Sequence, residues 1–208
     1  MVFPAFFDRI PTITLRDPLA ELLGAAESGL IEYSFADAVK LTGHACPTVA
    51  GAWMMATQGL KLLYGDAIPC RGEIEVDFHE AEDSGVTGVM ASVFTLLTGA
   101  AGKGGFKGLA GQFQRNDLLG FEQSAINHIR LTRSDNKHHV DCQLDLSVAP
   151  ADPRTGPLLG KILAGNGTPA THQLFTELWL ARVERILLDG SIHNQMLKFA
   201  LSRSANSS

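Results

Sequence analysis

The sequence predicts an α+β fold, a mixed or antiparallel sheet packed with helices and followed by a helical C-terminal extension. Three observations carry this. Residues 71–79 alternate, with Ile74, Val76 and Phe78 against Glu73, Glu75, Asp77 and His79, as a half-buried strand requires. Residues 126–132 and 138–148 form a hairpin pattern, in which Val140, Cys142, Leu144, Leu146 and Val148 alternate with Asp141, Gln143, Asp145 and Ser147, and Ser134-Asp135-Asn136 supplies the turn. The stretches between and after these strands are apolar at helical spacing or nearly throughout. With 208 residues, 45% of them apolar and 19% charged, the chain has ordinary globular composition. It divides into a core over 1–150 and an extension over 151–208, at the composition shift of Ala149-Pro150-Ala151-Asp152-Pro153.

Taken in order, residues 17–30 read as a helix, because Leu19, Leu22, Leu23 and Ala26 recur at helical spacing, Pro18 suits the first position and Gly29 ends the run. Ser34 and Asp37 form a capping box ahead of a short helix over 36–41. Thr42-Gly43-His44-Ala45-Cys46-Pro47 then leads into a long apolar segment, 48–64, closed by Gly65. Trp53, Met54, Leu60 and Leu63 make it a central, buried helix. Residues 86–97 fit helix or strand, with helix preferred, and a glycine-rich turn follows at Gly99–Gly105. Residues 157–163, 172–188 and 191–201 read as three helices, and Ser204–Ser208 as a frayed tail.

Composition excludes several functions. Seventeen basic against 22 acidic residues give a net charge of −5, so the electrostatic footprint of a nucleic-acid binder is missing. Three cysteines, odd in number and with no C-x-x-C pair, do not read as a disulfide framework or a zinc ribbon. The Phe-rich start lacks the basic region of a signal peptide, and no apolar run reaches the roughly 18 residues that span a membrane. The expectation is a reduced, cytoplasmic protein with no membrane or nucleic-acid partner.

The chemistry centres on His44-Ala45-Cys46-Pro47. Pro47 at the first helical position places Cys46 at the N-cap, where free N–H groups and the helix dipole favour an anion such as a thiolate. His44, two residues earlier, is near enough to converge with it on one ion or substrate atom. A third metal ligand is then needed. His79 ends a strand on the polar face shared with Asp77 and precedes the acidic Glu80, Glu82 and Asp83. Imidazole, thiolate and imidazole with one open position is a zinc set of catalytic type. Asp77 is an alternative ligand or an orienting partner. Cys70 sits beside Arg71 at the other end of the strand and reads as a loop cysteine, and Cys142 as core. Lys103 with Gly102 and Gly104 lacks the order of a nucleotide P-loop, but backbone N–H groups and one lysine suit an anionic group. His138 and His139 read as surface residues, and His172 and His193 are not expected to be ligands. No G-x-S-x-G elbow supports serine hydrolysis.

Gly43-His44-Ala45-Cys46-Pro47, the small-residue helix after it, and Leu97-Thr98-Gly99 with Gly102-Lys103-Gly104 resemble the family of the E-type subunit of formylmethanofuran dehydrogenase. Its signature is G-H-x-C-P-G with a later T-G-C-T-x-G-K-G turn. The resemblance covers Phe35 to Phe113. Thr48 stands where the family carries Gly, Ala100 falls at the cysteine of the later turn, and Ser84 lies near a further family cysteine. No cysteine follows Cys142, so the C-terminal zinc finger of some members is absent. The resemblance implies an α+β core, a metal-binding groove at the His-x-Cys motif and frequent dimers. The expectation is therefore a homodimer that holds zinc, or another divalent transition metal, at His44, Cys46 and His79, and acts on an unknown small molecule by metal-assisted chemistry. Two alternatives stand beside it: a non-catalytic protein that binds a ligand or serves as an accessory component of a larger complex, and a metal-free thiol enzyme in which His44 activates Cys46.

Overall fold

In a computed structural model, which describes residues 2–202, the chain runs β1 (Ile13–Arg16), α1 (Pro18–Leu22), β2 (Leu30–Tyr33), α2 (Phe35–Thr42), α3 (Pro47–Tyr64), β3 (Ile74–Phe78) and α4 (Thr87–Thr98). It continues through β4 (Leu119–Gly120), β5 (Ile129–Arg133), β6 (His139–Leu144), α5 (Thr155–Leu163), α6 (Pro169–Leu188), α7 (Gly190–Met196) and β7 (Leu197–Ser202). The tail read at Ser204–Ser208 lies outside the described residues. β1 and β2 form an antiparallel pair, and the main sheet has the order β4-β3-β5-β6-β7. Its β3–β4 pairing is parallel and the others antiparallel, so the α+β fold with a mixed sheet is present.

The alternation at 74–78 buries Ile74, Val76 and Phe78 and sets Val76 opposite Leu131, which itself faces Val140. This apolar face is covered by α3, whose side chains are buried along most of its length. Gly51, Met55 and Gly59 recur every fourth residue along one face of the helix. A Cβ on Gly51 would stand 2.4 Å from Leu144 Cδ2, and one on Gly59 3.0 Å from Leu131 Cδ1 and 3.1 Å from Cys142 Sγ. Glycine therefore lets α3 lie directly on β5 and β6. Beside it, α4 is a helix as preferred from sequence, and Phe94 meets the edge of Phe78 with ring centroids 5.7 Å apart.

Three expectations change. The second strand of the hairpin, expected over 138–148, stops at Leu144, and residues 146–148 form a 3-10 turn after Asp145. Residues 17–30 are not one helix: α1 stops at Leu22, and the chain turns back so that the Asp17 N–H donates to Gly29 O at 2.7 Å. A helix across that interval would separate them by about 18 Å. Leu22 and Leu23, which gave the helical spacing, are exposed, and residues 30–33 instead pair with β1. Residues 191–201 divide as well. α7 ends at Met196, and residues 197–202 run antiparallel to β6, whose free edge offers backbone groups that a helix would leave unpaired. The C-terminal segment packs into the same core as the rest, through Val183, Ile186, Leu187 and Met196. No helix of the described residues is long and apolar enough to cross a membrane.

One buried ion cluster ties three segments together. Asp17 caps α1 by accepting from the Leu19 and Ala20 amides, and its carboxylate also receives Arg71 Nη1 at 2.8 Å and Arg115 Nη2 at 2.7 Å. Burial pushes the Asp17 carboxyl up, but the Arg71 hydrogen bond and the Arg115 charge outweigh it and hold it below its usual range. Its folded-state pKa is depressed, so its stabilisation is present above the ordinary carboxylate pKa and lost as pH falls through the lowered one. Asp17→Asn should cost on the order of 3 kcal/mol at pH 7, because it leaves Arg115 without its buried partner. In urea titrations across pH, the gap between wild type and variant should narrow below about pH 4. A gap that stays constant into strong acid would show that the charge on Asp17 does not matter.

Candidate functional site

The start of α3 is built as its sequence predicts. Cys46 is the N-cap, with extended φ −138° and ψ 167°, and its Sγ accepts from the Val49 N–H at 3.4 Å. Pro47 is the first helical residue, where its missing N–H costs nothing. His44 is exposed on the link from α2, and its Nδ1–H donates to the Thr42 carbonyl at 2.9 Å. That bond fixes the proton on Nδ1 and leaves the Nε2 lone pair for another partner. No hydrogen bond joins His44 to Cys46 among the described residues. The peptide between them is held from outside: the Trp179 indole N–H on α6 donates to the Ala45 carbonyl at 2.8 Å. The Trp179 ring lies 5.6 Å from Phe175.

His79 sits elsewhere. Phe78 points into the helix-covered face, so the next residue follows the polar face with Glu75 and Asp77. Its Nδ1–H meets the Gln123 carbonyl at a long 3.4 Å, and its backbone N–H continues the β3–β5 pairing to His128 O. Burial and the neighbouring Glu75 raise the Asp77 carboxyl pKa, with Arg130 opposing. Among the described residues no three His, Cys, Asp or Glu side chains are placed to hold one metal ion. His44, Cys46 and His79 therefore do not form a three-donor set here, and the two donors near α3 fall short of the four that zinc takes.

The remaining candidates are separate. Cys70 is half-buried ahead of β3, with its thiol pushed up to about 12 by burial and then by Glu73. Cys142 is core, and burial pushes its thiol up to about 12 as well. Neither is poised as a thiolate. Lys103 is exposed, and the backbone N–H groups of Gly102, Lys103 and Gly104 have no acceptor among the described residues. The turn is pinned from behind, where Gly102 O accepts from the Gly105 and Asp117 amides. His138 and His139 are half-buried beside the hairpin turn, and His193 donates from Nε2 to Ile186 O at 3.0 Å.

The geometry adds a cleft. About 290 Å³ opens where the first turns of α3 meet α4 and the ends of β3, β5 and β6. Met55, Phe78, Met90 and Leu144 give it an apolar wall, and Thr48, Glu80, Thr87, Asn127 and His128 its polar groups. Sequence reasoning missed His128, which is exposed just ahead of β5. Its one sequence signal is its place inside the predicted strand 126–132; only the pairing of Phe78 with Ile129, where β5 begins, brings it to the mouth. Tested against protein-family models and curated protein sequences, the chain matches none.

Trp179→Phe keeps an aromatic ring, though a smaller one, and removes the N–H donated to Ala45, at a cost of at least about 1 kcal/mol. Iodoacetamide labelling read by peptide mass spectrometry should then run at least about twofold faster at Cys46, with Cys142 still protected by burial. An unchanged Cys46 rate would mean that α6 does not hold the motif.

Proposed function

We propose that the protein binds a small, mainly apolar organic molecule with one polar end, in the cleft at the start of α3. The observation that carries this reading is the cleft itself, an apolar wall with a few convergent polar groups, at the small end of the range for ligand pockets. The hydroxyls of Thr48 and Thr87 donate and accept, Glu80 accepts, and the His128 imidazole does either, so an alcohol, amide or carbonyl end finds partners. The resemblance to the E-type subunit of formylmethanofuran dehydrogenase implies a metal-binding groove at the His-x-Cys motif, and the cleft begins at Thr48, two residues after Cys46. The three free cysteines support a reducing, cytoplasmic setting.

The test follows the Met55 and Met90 methyl signals by NMR while 2-phenylethanol is added. Both should shift saturably. Met90→Trp, a change at the partly exposed rim, should fill the mouth and weaken binding at least about tenfold in a folded protein. Methyl signals that do not saturate at millimolar concentrations would count against the cleft as a site for such molecules.

A second reading, a divalent metal at His44 and Cys46, is favoured by the His44 Nδ1–H bond to Thr42, which leaves Nε2 available. The residues as placed supply two donors, so this reading also requires donors from a bound molecule, water or a second copy of the chain, and the resemblance supports a homodimer. Elemental analysis of protein purified without added metal or chelator should find about one zinc-like ion per chain, lost in a folded Cys46→Ala variant. Metal retained by that variant would place the site elsewhere.

A further inference from the structure

A second cavity, of about 420 Å³, lies between the residues leading into β3 and the loop 111–115, and shares no lining residue with the cleft. Two of its lining residues are Arg71 and Arg115, the two cations of the Asp17 cluster. We propose that this cavity is a binding site for a small molecule carrying an oxyanion, a carboxylate or a phosphate, gripped by Arg115 and Arg71.

Charge is the first argument. Asp17 already accepts two backbone amides of α1 and Arg115 at Oδ1, and Arg71 at Oδ2, so its one charge is shared among four donors. Two guanidiniums on one carboxylate leave a unit of positive charge in the cluster, and Arg115 is only 7% exposed. Glu73, a carboxylate lining the cavity, is exposed and forms no ion pair with either arginine among the described residues, so the two guanidiniums favour a further anion beside them. Burial lowers the Arg115 pKa despite the pull of Asp17, the direction expected of a cation short of partners.

Donor geometry is the second. Arg115 donates from Nη2 to Asp17, and its Nε and Nη1 hydrogens have no acceptor among the described residues. Arg71 spends Nη1 on Asp17, while Nε and Nη2 reach only the Leu96 carbonyl at 3.4 Å. Paired guanidinium hydrogens of this kind match the two oxygens of a carboxylate or phosphate.

The backbone is shaped around this group. Gly72 has φ +88°, and a Cβ there would stand 1.2 Å from Arg115 Nη1, so the guanidinium occupies the space that a side chain at position 72 would take. The loop that delivers Arg115 holds Ala110 at φ 48° and Phe113 at φ 62°, left-handed conformations that cost non-glycine residues energy and cluster at ligand clamps. Glu73 also lines the cavity, so the ligand that fits carries an O–H next to its oxyanion and satisfies both charges.

Isothermal titration with lactate and with inorganic phosphate, each an oxyanion with its own O–H, tests the site. Saturable binding of either to the wild-type chain is expected, and the tighter of the two identifies carboxylate or phosphate as the group recognised. Gln114→Glu adds a negative charge at an exposed lining residue that makes no hydrogen bond among the described residues, and should weaken binding at least about fivefold. Arg115→Gln should abolish it; where that variant does not fold, Gln114→Glu decides alone. No saturable heat with either anion, or binding that Gln114→Glu leaves unchanged, would overturn the proposal.

Discussion

The contact between α3 and the face of β5 and β6 sets the distances on which the rest of the molecule depends. Gly51 and Gly59 remove the Cβ atoms that would strike Leu144, Leu131 and Cys142, and Met55 fills the space between them. Each glycine costs the helix about 1 kcal/mol in propensity. Direct apposition offsets this by burying Met55 of the helix and Leu131, Val140 and Cys142 of the sheet almost completely, at about 25 cal/mol per Å² of apolar surface. Thr48 lies on the same face about two turns before Met55, so the helix that seals the core also opens the cleft at its first turn. Core and site are two stretches of one helix face.

The His-x-Cys link is positioned as much by the end of the chain as by its own neighbours. The Trp179–Ala45 hydrogen bond spans 134 residues, and Arg182 Nε donates to Ala149 O at 2.7 Å, fastening α6 to the end of the core as well. Val183, Ile186 and Leu187 bury the C-terminal half of α6, and β7 adds a strand beside β6. The C-terminal third is therefore part of the scaffold that presents His44 and Cys46.

The two cavities differ in character because the charges of the protein are segregated. Pairs such as Arg130–Asp141, at 2.6 and 2.8 Å, and Lys137–Glu75 sit on the open face of the sheet, where water screens them and each contributes little. Asp17, Arg71 and Arg115 are withdrawn from water, so their imbalance of charge persists. The cleft beside α3 draws its walls from the apolar sides of the same sheet and helices, with its polar groups at the ends of α3, β3, α4 and β5.

Local physics was readable from the residues alone. The alternation of 74–78, the hairpin of β5 and β6, the capping box at Ser34 and Asp37, and Cys46 ahead of Pro47 are each written in adjacent residues, and each appears in the structure. The same alternation already set His79 on the polar face of its strand, but the sequence did not say which face α3 would cover. β1, β2 and β7 were missed for a related reason: short segments such as Leu30–Tyr33 and Leu197–Ser202 become strands because an unpaired edge lies beside them, not because of their own pattern. His128 at the cleft and the meeting of Asp17 with Arg115, 98 residues apart, depend on strand register and on a loop folding back over Gly72. By itself the sequence determined the α+β class, the central buried helix and the thiol at its N-cap, because periodicity and capping act within a few residues. Only the tertiary structure decided which side chains share a cavity, because that depends on pairing and packing between segments distant along the chain.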